Sequence, residues 1–411
     1  MEENINEFIV LGRLLLDRYG GHALKTIETC NICSKNDLVE LIQLPKMPLT
    51  GLYLDKRNLK DDLYDQALNY CNNCGHGQLK NVLHQNILYD NSYTHRTSAS
   101  NMAMDGNDFL LRTIDDVVGN KVFNQILEVG CNDLYLINKL SNKAKNLVGI
   151  DPIWKEKDFV ISDKVSIFGK FINELDQSIL NESPDLIVSS HTFEHINGIY
   201  EEFVKLVDLA ADECLFFIEV PSLEMLVKTR RYDQITHQHL QYFSNSSMLS
   251  LIERIGCEFI GNKYNYSYWG GTSLYWFKKS SKNAKKQNTK APLIKKIITD
   301  NFEIFKEALK VSTHQIQALD EPIIGLGAAQ MLPQIAYHME SNLEFVSKIY
   351  DDNDDRIGKY LSCVYPKIEK FSENDISDSI IMITALDSSR VLLKKILAYK
   401  PRRIYTLVNI I

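Results

Sequence analysis

The chain has 411 residues, which at roughly 100–200 residues per compact unit makes two to four units and excludes a single small domain. With 45% hydrophobic and 24% charged residues it has the make-up of a globular protein, which excludes global disorder and a fibrous repeat. Lys and Arg total 46 against 53 Asp and Glu, and a net charge of −7 argues against a protein that coats nucleic acid.

The chain opens with MEENINEFIVLGRLLLD. An acidic start, with Arg13 interrupting the apolar stretch, does not fit a secretory signal, so a surface helix on a cytoplasmic protein is expected. Next come two pairs, Cys30-Asn-Ile-Cys33 and Cys71-Asn-Asn-Cys74. A CxxC turn brings two thiolates to one metal, and two such turns complete the tetrahedral shell of a structural Zn²⁺ site with no position open for water. The zinc is therefore expected to fold residues 25–80 and to catalyse nothing. His76, next but one to Cys74, is not counted as a ligand. Cys131, Cys214, Cys257 and Cys363 have no paired spacing and read as buried small hydrophobes.

Residues 125–133, QILEVGCND, read as a strand, a glycine turn and the start of a helix. A second strand follows about twenty residues later and ends in Gly149-Ile-Asp151-Pro152. In doubly wound α/β folds this places a cofactor over the first turn and a ribose diol against the second acid, here Asp151. The turn has Gly130, but Asn132 and Leu134 stand where a dinucleotide fingerprint has its next glycines, so a pyrophosphate is not the expected guest. Residues 185–191 and 215–221 read as the fourth and fifth strands of the same sheet. Apolar runs such as 214–220 and 379–386 fall far short of the roughly 20 residues that cross a bilayer, and no membrane partner is expected.

Residues 278–296 are lysine-rich and polar, a solvated connection. Without interleaved aromatic residues they are not a nucleic-acid patch. A helix is expected over about 293–319. It leads to another strand and glycine turn, Gly325-Leu-Gly327-Ala328, and a second strand ending in Asp351. By itself this pattern suggests a nicotinamide site, and a NAD(P)-dependent oxidoreductase is the enzyme rival, although Gln330 occupies the third glycine position.

Taken together, the motifs resemble one family, the S-adenosylmethionine (SAM)-dependent sugar C-methyltransferases that act on nucleotide-linked 4-keto-deoxysugars. Glu128-Val-Gly130-Cys-Asn132-Asp133 is similar to the SAM-binding turn of class I methyltransferases. Cys71-x-x-Cys74-Gly75 resembles the family's second zinc knuckle, and Tyr93-Thr-His95-Arg96-Thr97-Ser98 its link from zinc lobe to core. Residues 191–196, HTFEHI, resemble the segment after strand four. Residues 233–244, DQITHQHLQYFS, resemble the active-site segment, and Gly270-Gly271-Thr272-Ser273 the turn before the closing strand. Thr236 stands where that segment has tyrosine, Gln238 where it has glutamate, and Leu134 replaces a glycine.

The resemblance implies an α/β fold with a class I methyltransferase (Rossmann-like) core, a four-cysteine zinc lobe before it and a second Rossmann-like domain after it. The expected units are 1–100, helix and zinc lobe; 101–280, methyltransferase domain; 281–320, linker and helix; and 321–411, the C-terminal domain. SAM is expected against Glu128, Gly130, Asn132, Asp133, Asp151, Pro152 and His191. His239 is the expected base, with His237 a second candidate whose role as scaffold or chemistry stays open. Gln238, Tyr93 and His95 are candidate donors to the acceptor. His191 and His195 read as packing for the cofactor loop, and Tyr242 and Phe243 as core. The expected partner is a nucleotide-linked sugar and the expected state a monomer. The alternatives are O- or N-methylation of a related sugar, and a zinc-stabilised module that binds without turnover.

Overall fold

In the computed structural model, residues 24–60, 63–88, 96–155, 157–280 and 295–407 are described. The expected N-terminal helix, Tyr93, His95 and most of the lysine-rich connection lie outside them.

The centre is an eight-stranded sheet. Five parallel strands, Val165–Phe168, Ala144–Ile150, Phe123–Val129, Leu186–Ser190 and Leu215–Pro221, lie side by side in that order. Thr272–Lys279 then joins antiparallel to Leu215–Pro221, Cys257–Asn265 pairs with it, and Phe159–Ser162 closes the other edge. This order, with one antiparallel strand inserted beside the fifth, is the class I methyltransferase arrangement that the motifs imply. Four of these parallel strands are almost wholly buried, as strands covered on both faces must be, while Val165–Phe168 buries alternate residues. Strand order reverses between Phe123–Val129 and Leu186–Ser190, so their carboxyl ends form the crevice where doubly wound sheets bind ligands.

The zinc lobe is built on Leu38–Pro48, Leu63–Cys71 and Gly77–Leu79. Its fourth strand comes from elsewhere in the chain: Gln241–Tyr242 pairs antiparallel with Gly77–Leu79, Gln241 opposite Gln78 and Tyr242 opposite Gly77. The C-terminal domain is a five-stranded parallel sheet in the order Ile368–Lys370, Val346–Asp351, Ile323–Leu326, Ile380–Ile383, Arg403–Thr406. The zinc lobe reaches it too, through Tyr53–Leu54 paired with Tyr360–Leu361.

One apolar cluster spans these units. It contains Ile42, Leu44 and Leu68 of the zinc lobe, Leu223 and Tyr232 of the central domain, and Ile323 and Ile349 of the C-terminal sheet. The helix Lys295–Gln317 contributes Ile298, Phe302, Phe305, Leu309 and Ile316, spaced three, four or seven residues apart on one face. Tyr242 and Phe243 are buried. Of the four cysteines outside the CxxC motifs, Cys131, Cys214 and Cys257 are buried as expected, whereas Cys363 is half-buried in a left-handed turn and is not a core residue. No helix among the described residues is long and apolar enough to cross a membrane.

Candidate active site

The zinc knuckles meet as their spacing requires. The ligand atoms of Cys30, Cys33, Cys71 and Cys74 all lie within 4.8 Å of one another, with Sγ of Cys30 3.6 Å from that of Cys74 and Sγ of Cys33 3.5 Å from that of Cys71. Sulfurs held by Zn²⁺ at about 2.3 Å in a tetrahedron stand at about this separation. The Ile32 amide points at Cys30 Sγ (3.4 Å), the N–H to sulfur contact of a knuckle. Thiolates so close together repel unless a cation lies between them, so the donor set fits a structural zinc ion. His76 is held apart from it, with Nε2 2.9 Å from Gln241 Oε1 and Nδ1 3.4 Å from Ser247 Oγ.

Around the first glycine turn the backbone is unusually constrained. Gly130 has φ +79°, and a side chain there would run into Thr192 Oγ1. Asn132 (φ +39°) and Leu134 (φ +71°) are left-handed without being glycine, which for Leu134 costs roughly 1–2 kcal/mol. Asp151 braces this loop: Oδ2 accepts from the Asn132 amide (2.9 Å) and Oδ1 from that of Ile153 (3.0 Å), while Pro152 begins the short helix that follows. The Trp154 indole donates to the Asn132 carbonyl (2.7 Å). Asp133 accepts from the amide and hydroxyl of Ser98 through Oδ2.

Glu128 Oε2 and Asp133 Oδ1 are buried acceptors without a hydrogen-bond donor. Burial, with Asp151 and Asp133 nearby, pushes the Glu128 carboxyl well above the usual range. Two unmatched acceptors beside a strained glycine turn suit a cationic, donor-rich ligand. The amino acid end of SAM is such a ligand, and the residues fit it.

Beyond the switch point the structure assembles a cluster whose centre the sequence reading did not single out. Glu194, in the turn Phe193–His195, has no exposed surface. Its Oε1 lies 3.1 Å from His191 Nδ1 and 3.8 Å from His195 Nε2. Ligand atoms of Glu194, His195 and His239 lie within 4.8 Å of one another, and the His195 and His239 rings meet edge to face at 5.0 Å. Burial alone would raise the Glu194 carboxyl, but the three histidines hold it down to about 2, so it is ionised. Burial and the neighbouring His195 push His239 down to about 3, leaving its ring unprotonated at neutral pH. His191, depressed by burial, is raised overall by Glu194. Its ring packs 4.5 Å from that of Tyr268, and its amide donates to the Glu219 carbonyl.

The other active-site candidates fall elsewhere. His237 is engaged at both ring nitrogens, with Nε2 3.0 Å from the Met47 carbonyl and Nδ1 3.4 Å from Gln66 Nε2. It fastens the active-site segment to the zinc lobe, which favours scaffold over chemistry. The Gln238 amide is likewise committed to Thr50, accepting from its hydroxyl at 2.7 Å and donating to its carbonyl at 3.3 Å. His195, expected as packing for the cofactor loop, meets the His239 ring edge to face. In the C-terminal domain Asp351 accepts from the Ala328 amide (2.7 Å), much as Asp151 does at the first turn.

Comparison with known proteins agrees with this layout. Residues 100–261 match a methyltransferase domain family and residues 30–89 a zinc binding domain family. The C-methyltransferase NovU of Streptomyces niveus is 25% identical over 239 residues, 57% of this chain and 56% of the relative, so the chain spans about half the length of the curated relative it matches. Among solved structures, the N-methyltransferase NodS of Bradyrhizobium japonicum WM9 is 16% identical, with a TM-score of 0.33 over 44% of this chain and 97% of its own. Its complex with S-adenosyl-L-homocysteine gives 0.35 over 46% and 93%. The fold assignment rests on the strand order above and not on these distant likenesses. The chain thus carries a zinc binding domain over residues 30–89 and a methyltransferase domain over residues 100–261, in the order that its motifs imply.

Proposed function

We propose that the protein transfers a methyl group from SAM to a carbon atom next to the ketone of a nucleotide-linked keto-deoxysugar, with His239 as the base. The observation that carries this reading is the place of His239: its ring meets that of His195 at 5.0 Å, and a ring nitrogen lies within 4.8 Å of the buried Glu194 carboxylate, just past the carboxyl end of Leu186–Ser190. The motif resemblance and the C-methyltransferase relative support the same acceptor class.

When bound, SAM supplies an electrophilic methyl group on a sulfonium. Glu128, Gly130, Asn132, Asp133, Asp151, Pro152 and His191 would hold it. The chain's own task is to make the acceptor carbon nucleophilic. A lone pair of the His239 ring takes the proton from the carbon next to the ketone; the C–H electron pair stays on that carbon and spreads to the ketone oxygen. With SAM held by those residues, that carbon would be placed to accept its methyl group, the sulfur leaving with the bonding pair as a neutral thioether, while His239 keeps the proton. A positioned base of this kind is worth roughly 10²–10⁴-fold, and alignment of the reacting carbon supplies much of the remainder.

The test is calorimetric titration of the zinc-replete protein with S-adenosylhomocysteine, with NAD and with a dTDP-linked 4-keto-6-deoxysugar, followed by assay of that sugar and its 4-hydroxy counterpart. Methylation that requires the ketone supports the proposal. Methylation of the hydroxy sugar would make the protein an O-methyltransferase, and binding of NAD alone would move the functional site to the C-terminal glycine turn.

A further inference from the structure

Glu194 is the charge around which three histidines are arranged, and neither the zinc site nor the cofactor turn uses it. It reaches its place by backbone as well as side chain. The Leu240 amide donates to the Glu194 carbonyl (2.6 Å), and His195 Nδ1 lies 2.8 Å from the Gln238 carbonyl. These two bonds staple the turn Phe193–His195 to the segment that carries His239, so carboxylate and ring are held by one rigid junction.

The His195 bond also fixes a proton. A carbonyl only accepts, so Nδ1 of His195 carries hydrogen and Nε2 is the atom turned toward Glu194. Opposite the ring pair, Nδ1 of His239 and Oε2 of Glu194 are buried without a hydrogen-bond partner. Such a carboxylate favours a proton on the imidazoles around it.

We propose that Glu194 is a positioning residue for the base: its buried carboxylate aligns the His195 and His239 rings and offsets the positive charge that His239 acquires when it takes the acceptor's proton. This rests on the methyltransferase reading above. No atom is consumed; the proton moves from acceptor carbon to imidazole, and Glu194 stays ionised. The other groups that bear on it are His191 on its near side, Tyr268 packed against His191, Glu219 beyond that ring, and Asp151 across the crevice toward His195. His191 is the closest of the three rings, so a purely structural Glu194 would serve His191 alone, and the test must separate the histidines.

The experiment compares wild type with Glu194→Gln and Glu194→Asp in the full zinc-replete protein. The first readout needs no acceptor: the imidazole resonances of His195, His239 and His191, assigned by NMR with single histidine variants, are followed against pH. Losing the carboxylate in Glu194→Gln is expected to lower the midpoint of His239 as well as that of His191. The second readout uses a dTDP-linked 4-keto-6-deoxyglucose. Glu194→Gln is expected to lower kcat by about 10²-fold with KM changed less than about threefold, and to move the acid limb of kcat/KM to lower pH. Glu194→Asp, which keeps the charge but withdraws it by one methylene, is expected to recover part of kcat, and it carries the same readouts should the Gln variant not fold. A change confined to His191, or kcat within about twofold of wild type, would overturn the assignment. Wild type inactive on every keto sugar would overturn the acceptor reading and the catalytic part of this proposal; the titration, read without acceptor, still decides whether Glu194 serves the ring pair.

Discussion

Glu128 ends a buried strand beside Asp151 and Asp133, and burial together with those charges raises its carboxyl well above the usual range. An ammonium-bearing ligand needs that carboxylate ionised, so S-adenosylhomocysteine is expected to bind more tightly as pH rises through the raised value. Glu128→Gln, which has no proton to lose, is expected to flatten that pH dependence and weaken binding; titration calorimetry across pH 5.5–8.5 reads both. His239→Ala is expected to leave folding and cofactor affinity intact and to abolish turnover, and normal turnover would remove the base. Much at this scale was legible in the chain, because a glycine turn and an acid about twenty residues on are fixed by local backbone geometry. Glu194 was not legible. It sits inside the run HTFEHI, but its partner His239 lies more than forty residues on, and nothing periodic announces that the two segments meet. Nor was the partner of Gln238 legible: it occupies an active-site position in the motif, and its amide bonds Thr50, far off in sequence.

Among the elements, the zinc knuckles were fully legible, because four thiolates on one ion demand the spacing that the chain displays. What spacing could not convey is that the zinc lobe completes its sheet with Gln241–Tyr242, which begins two residues after His239. Cys71→Ser is therefore expected to do two things: lose zinc, read by metal analysis, and loosen the active-site segment, read by faster amide exchange at residues 237–243. An intact, metal-replete variant would count against the site. The turn before Thr272–Lys279 is similarly unforgiving. Gly271 has φ +118°, and a side chain there would lie 2.6 Å from Met225 Cβ. Gly271→Ala is expected to lower the melting temperature by several degrees, since both the strain and the clash must be absorbed.

Across the whole molecule the three units are tied by polar as well as apolar contacts. Arg231 donates to both oxygens of Asp233 at 2.8 Å and to both of Asp387 at 2.7 and 3.1 Å, joining the active-site segment to the C-terminal domain. Arg231→Ala leaves Asp233 buried without its partner and is expected to destabilise the protein by about 3–5 kcal/mol in denaturant titration. No local pattern in the chain hints at this pair. Acid sensitivity is also a property of the whole: burial pushes His76 and His237 down to about 4 and His239 and His338 down to about 3. The unfolded chain, with histidines near 6.5, binds these protons first, so stability is expected to fall as pH drops below about 6.5 toward 4. His191, raised in the fold, opposes this trend. Melting temperatures between pH 8 and 5 read the slope, and His338→Gln is expected to reduce it.

The shared strand Gln241–Tyr242 makes the metal and the chemistry parties to one thermodynamic cycle. If stripping zinc weakens acceptor binding by some factor, then a bound acceptor tightens zinc by that same factor. Resistance to a chelator thus becomes a gauge of what occupies a crevice that the ion never touches. A panel of sugars could be ranked by how much each slows the escape of metal, before any methyl group has moved.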